Sequence, residues 1–151
     1  FRDIIAMAKA RDIFLHVHAG ERPVRWLYSL DPDVKIIWAH TGLGEPTDVI
    51  YKLMSDFPTL VADTSLKEFA IGGFGDNLNP EWERILTEFQ DRFMIGSDTY
   101  INSQWEGYSA IMNMNRAWLS LLPREIAEKI AYKNAERLFG RDISFDLIGT
   151  R

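Results

Sequence analysis

Short runs of apolar residues alternate along the chain with longer stretches in which apolar residues recur at helical spacing. The runs are rich in Val, Ile, Leu and Phe, and their lengths suit buried strands of a parallel sheet. Four such runs occur, at residues 13–18, 34–40, 59–62 and 93–95. Because strands that alternate with helices form right-handed β-α-β units, the pattern predicts an α/β fold with a parallel sheet.

Helical patterns fill the connections between the runs, and turn residues mark their ends. Residues 24–30 carry an apolar stripe that predicts a helix after the first strand, and residues 45–57 predict a helix after the second. Asn79 is expected to cap a third helix, with a proline at its first position. Two more helical segments follow the fourth strand. The last, at 123–139, is expected to end at Gly140 in a left-handed cap.

Composition indicates one ordinary globular domain. The chain has 151 residues, of which 46% are hydrophobic and 26% charged. Its net charge of -5 and its lack of clustered Lys and Arg argue against a nucleic-acid surface. No apolar run approaches the roughly 20 residues that span a bilayer, so no membrane association is expected. The absence of cysteine excludes thiolate metal sites and fits a cytoplasmic location.

The two ends of the chain carry expectations of their own. Residues 1–11 have the apolar spacing of the last turns of an amphipathic helix, with Lys9 and Arg11 near its carboxyl end. The chain is therefore expected to be a fragment that begins inside a helix, the alternative being a short native helix. Residues 141–151 are expected to form a surface tail.

Three of the four predicted strands deliver a potential metal ligand to their carboxyl ends. These residues are His18, His40 and Asp98. Parallel strands place their carboxyl ends at one edge of a sheet, where two neutral imidazoles and a carboxylate can meet around a divalent ion. Each residue also has a simpler explanation, because a histidine at a strand end often bonds to a backbone carbonyl and an aspartate often caps a helix. Their shared placement favours the metal site.

The candidate residues differ in expected role. Asp98 is predicted to bind the metal with one oxygen and to accept a proton from the nucleophilic water with the other. His40 either binds the metal or hydrogen-bonds to the metal-bound water. His16 has a chelating spacing with His18, but its deeper position in the strand favours a core or supporting role. Asp63 ends the third strand and is a weaker candidate for the same edge, where capping or turn formation is the preferred interpretation.

Loop side chains near the same edge are weaker candidates for substrate binding. Arg22 and Lys67 are predicted to bind an anionic group, and Trp105 and Tyr108 to cover a substrate. Surface charge or helix packing explains each of them equally well. The glycine-rich segment at 72–75 is interpreted as a flexible active-site loop.

An ordered set of short motifs points to one family. The set comprises Val17-His18, Trp38-Ala39-His40-Thr41-Gly42, residues 91–100, Leu122-Pro123 and residues 134–139. In order and spacing it resembles the carboxyl-terminal half of the amidohydrolase-related (amidohydrolase 2) family of metal-dependent hydrolases, whose fold is a TIM-type barrel. The similarity extends from about residue 12 to residue 139.

The resemblance implies a role for each strand and each ligand. The four strands correspond to barrel strands five to eight, so residues 1–151 form a single partial domain, half of a (β/α)8 barrel. His18 matches the metal-binding histidine after strand five, and Asp98 matches the carboxylate after strand eight. His40 matches the histidine after strand six, which orients the metal-bound water in mononuclear members, and it is assigned that role first. A divalent metal, zinc by preference, is the implied cofactor.

The resemblance also implies a function with two alternatives. The main expectation is a hydrolase in which metal-activated water attacks an amide, ester or lactone bond of a small molecule. The first alternative is a metal-dependent decarboxylase of aromatic carboxylic acids, and the second is a non-catalytic half-barrel subunit.

One departure from the family limits what the chain is expected to do alone. The family's His-x-His pair on strand one has no counterpart upstream of His18. The metal site is therefore expected to be incomplete, and the isolated chain inactive. A missing amino-terminal half-barrel, or self-association, is expected to cover the open sheet edges and complete a barrel of roughly 300 residues.

Overall fold

Four parallel strands form one sheet, in the order in which they occur along the chain. The computed structural model describes residues 1–72 and 77–140. The strands are β1 (Leu15–Val17), β2 (Ile36–Trp38), β3 (Leu60–Asp63) and β4 (Phe93–Met94). This sequential order is that of a barrel wall, because in doubly wound sheets the strand order reverses at a switch point. The predicted α/β class is confirmed.

Helices connect the strands and follow the last of them. They are α1 (Arg2–Ala10), α2 (Glu21–Leu30), α3 (Thr47–Asp56), α4 (Glu68–Gly72), α5 (Pro80–Glu88), α6 (Asn102–Glu106), α7 (Tyr108–Leu119), α8 (Arg124–Glu128) and α9 (Asn134–Phe139), with a 3-10 turn at Ala39–Thr41 and a π-helical turn at Lys129–Lys133. The Asn79 side chain caps α5 by accepting the backbone N–H of Glu81 at 3.0 Å, and Gly140 ends α9 with φ of 61°, both as predicted. None of the described helices is both long and hydrophobic enough to cross a bilayer.

The sheet has two apolar faces with different surroundings. Side chains of the outer face are buried beneath the helices, among them Ile36, Trp38, Leu60, Ala62 and Phe93. Alternate residues form a second, smaller cluster on the inner face, made of Ile37, Val61 and Met94 with Phe14, Ala135 and Leu138 packed against it. The inner face is the wall of an open cleft, and its carboxyl end carries the polar candidates.

The edge of the sheet at β1 is bordered by exposed apolar side chains. No strand within residues 1–72 and 77–140 pairs with the outer side of β1. The exposed apolar residues near this edge include Phe1, Ile4 and Trp26, which line a pocket together with β1, and Ile13, which precedes β1. The predicted tail at 141–151, and all of the predicted glycine-rich loop except Gly72, lie outside the described residues.

Candidate active site

The carboxyl ends of three strands bring His18, His40 and Asp98 together. The imidazole rings of His18 and His40 meet edge to face, with centroids 4.8 Å apart. Nε2 of His40 lies 3.9 Å from Oδ1 of Asp98. His40 therefore contacts His18 on one side and faces Asp98 on the other. His40 and Asp98 line the cleft, whereas His18 lines a pocket beside β1.

The chain turns sharply after β2 to present His40 to the cleft. His40 and Thr41 both adopt left-handed backbone conformations, with φ of 58° and 50°. Such conformations cost roughly 1–3 kcal/mol in residues other than glycine, and they cluster at functional sites. Two hydrogen bonds to Asp63 offset this strain: its side-chain Oδ1 accepts the His40 backbone N–H at 3.2 Å, and its backbone carbonyl accepts the Thr41 hydroxyl at 2.5 Å.

Asp63 supports the site more directly than the sequence interpretation allowed. Its Oδ1 atom accepts hydrogen bonds from the backbone N–H of His40, from the backbone N–H of Ser65 at 3.1 Å and from the Ser65 hydroxyl. The bond from the Ser65 backbone is the predicted turn. The same carboxylate also fixes the His40 loop, and the Ser65 hydroxyl lies 2.7 Å from Nδ1 of His40. Its placement at a strand end, the signal used for Asp98, made Asp63 a candidate for this edge, but not for the support of the His40 loop.

His16 is not a core residue. Its side chain is 66% exposed, and its Nε2 lies 3.5 Å from Oδ2 of Asp63. The expectation of a core position was wrong because β1 is an edge strand whose inner side opens to the cleft. A supporting role beside Asp63 remains a prediction.

Two predicted substrate contacts lie away from the cleft. Arg22 sits past the turn at Gly20, in the first turn of α2, and lines a separate pocket with Glu45. Trp105 is 58% exposed and packs on Tyr108, with ring centroids 5.4 Å apart. Neither Arg22 nor Trp105 is among the residues that line the cleft.

Lys67, the other predicted anion-binding residue, also lies outside the cleft lining. Burial lowers the pKa of its ammonium group, an effect that nearby Glu45 partly offsets.

Glu45 joins the loop after β1 to the loop after β2. Its Oε1 accepts the backbone N–H of Glu21 at 2.8 Å, and its Oε2 accepts that of Gly44 at 3.1 Å. Partial burial acts to raise the pKa of the Glu45 carboxyl, but hydrogen bonds from backbone amides hold it below its usual value. A Cβ at Gly20 or Gly42 would lie only 2.5 or 2.1 Å from these carboxylate oxygens. Glycine at both positions therefore permits the close approach that links the His18 and His40 loops.

The cleft in front of the inner face has a volume of about 740 Å³. Its polar end is lined by His16, His40, Asp63 and Asp98, and its apolar part by Phe14, Ile37, Met94 and Leu138. This volume lies in the range of small-molecule sites, and an apolar wall with a few convergent polar groups is their usual construction.

The side chains at the polar end are of types that bind divalent metals, but the described residues supply too few ligands for a complete site. Imidazole nitrogen and carboxylate oxygen are ordinary zinc ligands. Within residues 1–72 and 77–140, however, no group of three or more His, Cys, Asp or Glu side chains is arranged to hold a metal ion. A zinc site needs about four ligands, including water, so the described residues supply only part of one.

Sequential parallel strands with a polar site at their carboxyl ends define the TIM-barrel class, and solved structures agree. An uncharacterized TIM-barrel protein from Bordetella bronchiseptica matches with a TM-score of 0.67 and 17% identity, over 91% of this chain and 49% of that one. An amidohydrolase from Burkholderia multivorans with bound zinc matches with a TM-score of 0.66 and 18% identity, over 94% and 57%. The chain thus spans about half the length of the solved structures it matches.

The family follows from the sequence comparison. The model of the amidohydrolase family matches residues 1–141, which is nearly the whole chain. The chain belongs to the amidohydrolase family, and the resemblance inferred from its motifs is confirmed. The comparison with curated proteins found no match.

Proposed function

We propose that the chain is the carboxyl-terminal half of a metal-dependent hydrolase, and that His18 and Asp98 hold a divalent metal together with ligands from outside these 151 residues. The convergence of His18, His40 and Asp98 at one edge of the sheet carries this proposal. Family membership and the zinc bound to the Burkholderia multivorans relative support it.

The residues of this chain would divide the work of hydrolysis. A bound zinc ion supplies Lewis acidity that lowers the pKa of water to about 7. Asp98 accepts the proton of the attacking water, and His40 orients that water. Since Oδ1 of Asp98 and Nε2 of His40 are 3.9 Å apart, one water molecule can donate a hydrogen bond to each. The apolar part of the cleft fits the body of a small organic amide, ester or lactone.

A second candidate function is a non-catalytic half-barrel subunit. The observation that favours it is the shortage of metal ligands among the described residues. This candidate predicts that the protein binds no metal in any natural form.

The test combines metal analysis with one substitution. The purified protein, in its longest natural form, is assayed for metal content by native mass spectrometry. Asp98→Asn is then compared with the parent for turnover of amide, ester and lactone substrates. Asp98 has φ of 50°, and asparagine tolerates this conformation as well as aspartate does, so the fold is retained. We expect kcat to fall by at least about 100-fold, the contribution of a general base.

Asp33→Asn is the matched control, because Asp33 is exposed and lies before the amino end of β2. Stoichiometric metal with a selective loss in Asp98→Asn would support the hydrolase. Release of carbon dioxide from aromatic carboxylic acids, without hydrolysis, would replace it with the decarboxylase. Absence of metal in every form, with full activity of Asp98→Asn, would overturn the proposal.

A further inference from the structure

Behind His40 lies a chain of hydrogen bonds with a defined direction. The hydroxyl of Ser65 is 2.7 Å from Nδ1 of His40, and the same hydroxyl donates to Oδ1 of Asp63. Ser65 is only 2% exposed, and His40 is buried as well. Bulk water therefore does not compete for these bonds.

The number of protons that each side chain carries determines which group donates in the Ser65–Asp63 and Ser65–His40 hydrogen bonds. A carboxylate has no proton to give, so the bond between Ser65 and Asp63 uses the single hydroxyl proton of Ser65. The Ser65 oxygen can then only accept from His40, which requires a proton on Nδ1. A neutral imidazole carries one ring proton, so its Nε2 is left with a free lone pair. We propose that Ser65 is a positioning residue that fixes His40 as the Nδ1–H tautomer and thereby presents an unprotonated Nε2 to the cleft.

The surroundings of Nε2 agree with this assignment. The nearest carboxylate oxygen, Oδ1 of Asp98, is 3.9 Å away, beyond hydrogen-bond distance, so no bond to Asp98 would hold a proton on Nε2. His40 lines the cleft next to Asp98. Two hydrogen-bond acceptors therefore face the cleft side by side: a carboxylate oxygen of Asp98 and the Nε2 lone pair of His40. The catalytic meaning of this pair rests on the proposed hydrolase function.

The order of the three residues excludes Ser65 as a nucleophile. In serine hydrolases the histidine stands between the serine and the aspartate and removes the serine proton. Here the serine stands between the aspartate and the histidine, and its hydroxyl is buried. Ser65 lines the cleft beside His40, but its hydroxyl proton is donated to Asp63, so it acts through His40.

Nitrogen NMR of the full chain with labelled histidine measures the tautomer directly. The chain has three histidines, and those other than His40 are assigned by substituting His16 and His18 in turn. At a pH where His40 is neutral, we expect its proton on Nδ1 and its Nε2 in the unprotonated range. In Ser65→Ala, the two nitrogen resonances should move toward each other, which is the signature of exchanging tautomers. Ser97→Ala, which removes another hydroxyl from the cleft lining, should leave them unchanged.

Two results would overturn the inference. One is a proton on Nε2 of His40 in the unmodified protein, a measurement that holds whether or not Ser65→Ala folds. The other is a folded Ser65→Ala protein whose His40 tautomer is unchanged. In the active enzyme, Ser65→Ala should lower kcat by about 10–100-fold with little change in KM, as for other groups that orient a catalytic histidine. Because the tautomer is measured without turnover, failure of the hydrolase proposal would leave this test intact.

Discussion

Strained residues are concentrated where the site is built. Five described residues other than glycine have positive φ, and four of them follow the carboxyl end of a strand: His40, Thr41, Leu66 and Asp98. The fifth, Asp12, precedes β1. At His40, Thr41 and Asp98 this conformation turns the chain out of the sheet at the positions of the candidate ligands. The cost, roughly 1–3 kcal/mol for each residue, is offset by bonds such as those from His40 and Thr41 to Asp63.

Leu66 carries the same strain without a place in the cleft lining, so it offers a test. Its φ is 62° and its side chain is 64% exposed. Leu66→Gly should stabilise the protein by up to about 1 kcal/mol, because glycine adopts the left-handed conformation without steric conflict. Urea unfolding measures the change. Leu43→Gly is the control, since Leu43 is similarly exposed but has no positive φ, and it should be neutral or destabilising.

The sequence predicted part of the site at this scale. His18, His40 and Asp98 were recognisable because each ends an apolar run, and parallel strands bring such ends together. The support from Asp63 and Ser65 was not predicted, because an aspartate followed by Thr-Ser is also the usual composition of a turn. Its second role depends on the left-handed turn at His40, which no residue type announces.

At the scale of elements, the last helical region forms hydrogen bonds to β4, the strand at the opposite edge of the sheet from β1. The π-helical turn frees the carbonyl of Ile130, which accepts the backbone N–H of Ile95 at 3.2 Å. Buried Asn134 donates from Nδ2 to the carbonyls of Gln90 at 2.7 Å and Phe93 at 2.8 Å. These bonds occupy the edge of β4 and set the path of the chain that leads to Asp98.

Asn134→Asp tests this connection. A carboxylate has nearly the same shape as the amide but cannot donate, so two buried carbonyls would face an acceptor. We expect the free energy of unfolding to fall by more than about 2 kcal/mol, and exchange of the Ile95 amide proton to accelerate. Asn113→Asp, at an exposed position of α7, should change stability by less than about 0.5 kcal/mol. Equal effects of the two substitutions would contradict the role given to Asn134.

The sequence predicted the types of the elements better than the residues at which they begin and end. All four strands lie within or next to the predicted apolar runs, but the first two are three residues long where the runs have six and seven. The runs overestimate the strands because their ends form loops that remain apolar, such as Ile13 at the open edge. The π-helical turn was predicted as regular helix, since apolar spacing differs little between the two helix types over five residues.

At the scale of the whole molecule, the surface near β1 resembles a protein interior. Phe1 packs edge to face on Trp26, with centroids 5.0 Å apart, yet Phe1 is 70% and Trp26 46% exposed. They lie beside the outer edge of β1, which pairs with no strand in the described part of the chain. Contiguous exposed apolar surface of this kind marks an interaction site. The predicted missing half-barrel would cover it, and in the isolated chain a second copy is the available partner.

Self-association of the 151-residue chain should therefore depend on this surface. Ile4→Glu combined with Trp26→Glu is expected to weaken association at least about tenfold, because carboxylates buried in an apolar contact cost more than about 1.4 kcal/mol. Sedimentation velocity across a concentration series measures it. Phe69→Glu is the control, since Phe69 is a highly exposed aromatic residue on α4. A chain that stays monomeric at all concentrations, or the same loss with Phe69→Glu, would contradict the expectation.

The carboxylate of Glu45 has a consequence for engineering and for divergence of the site. Glu45 lies in the loop after β2, and its carboxylate accepts the backbone N–H of Glu21, the first residue of α2. The loops that carry His18 and His40 are therefore structurally coupled. Replacing the His18 loop alone with that of another barrel would place a foreign side chain at position 20 against the Glu45 carboxylate. Replacing the His40 loop alone would remove Glu45 and leave the backbone amide of Glu21 without its acceptor. New specificities on this scaffold should therefore be sought by exchanging both loops together.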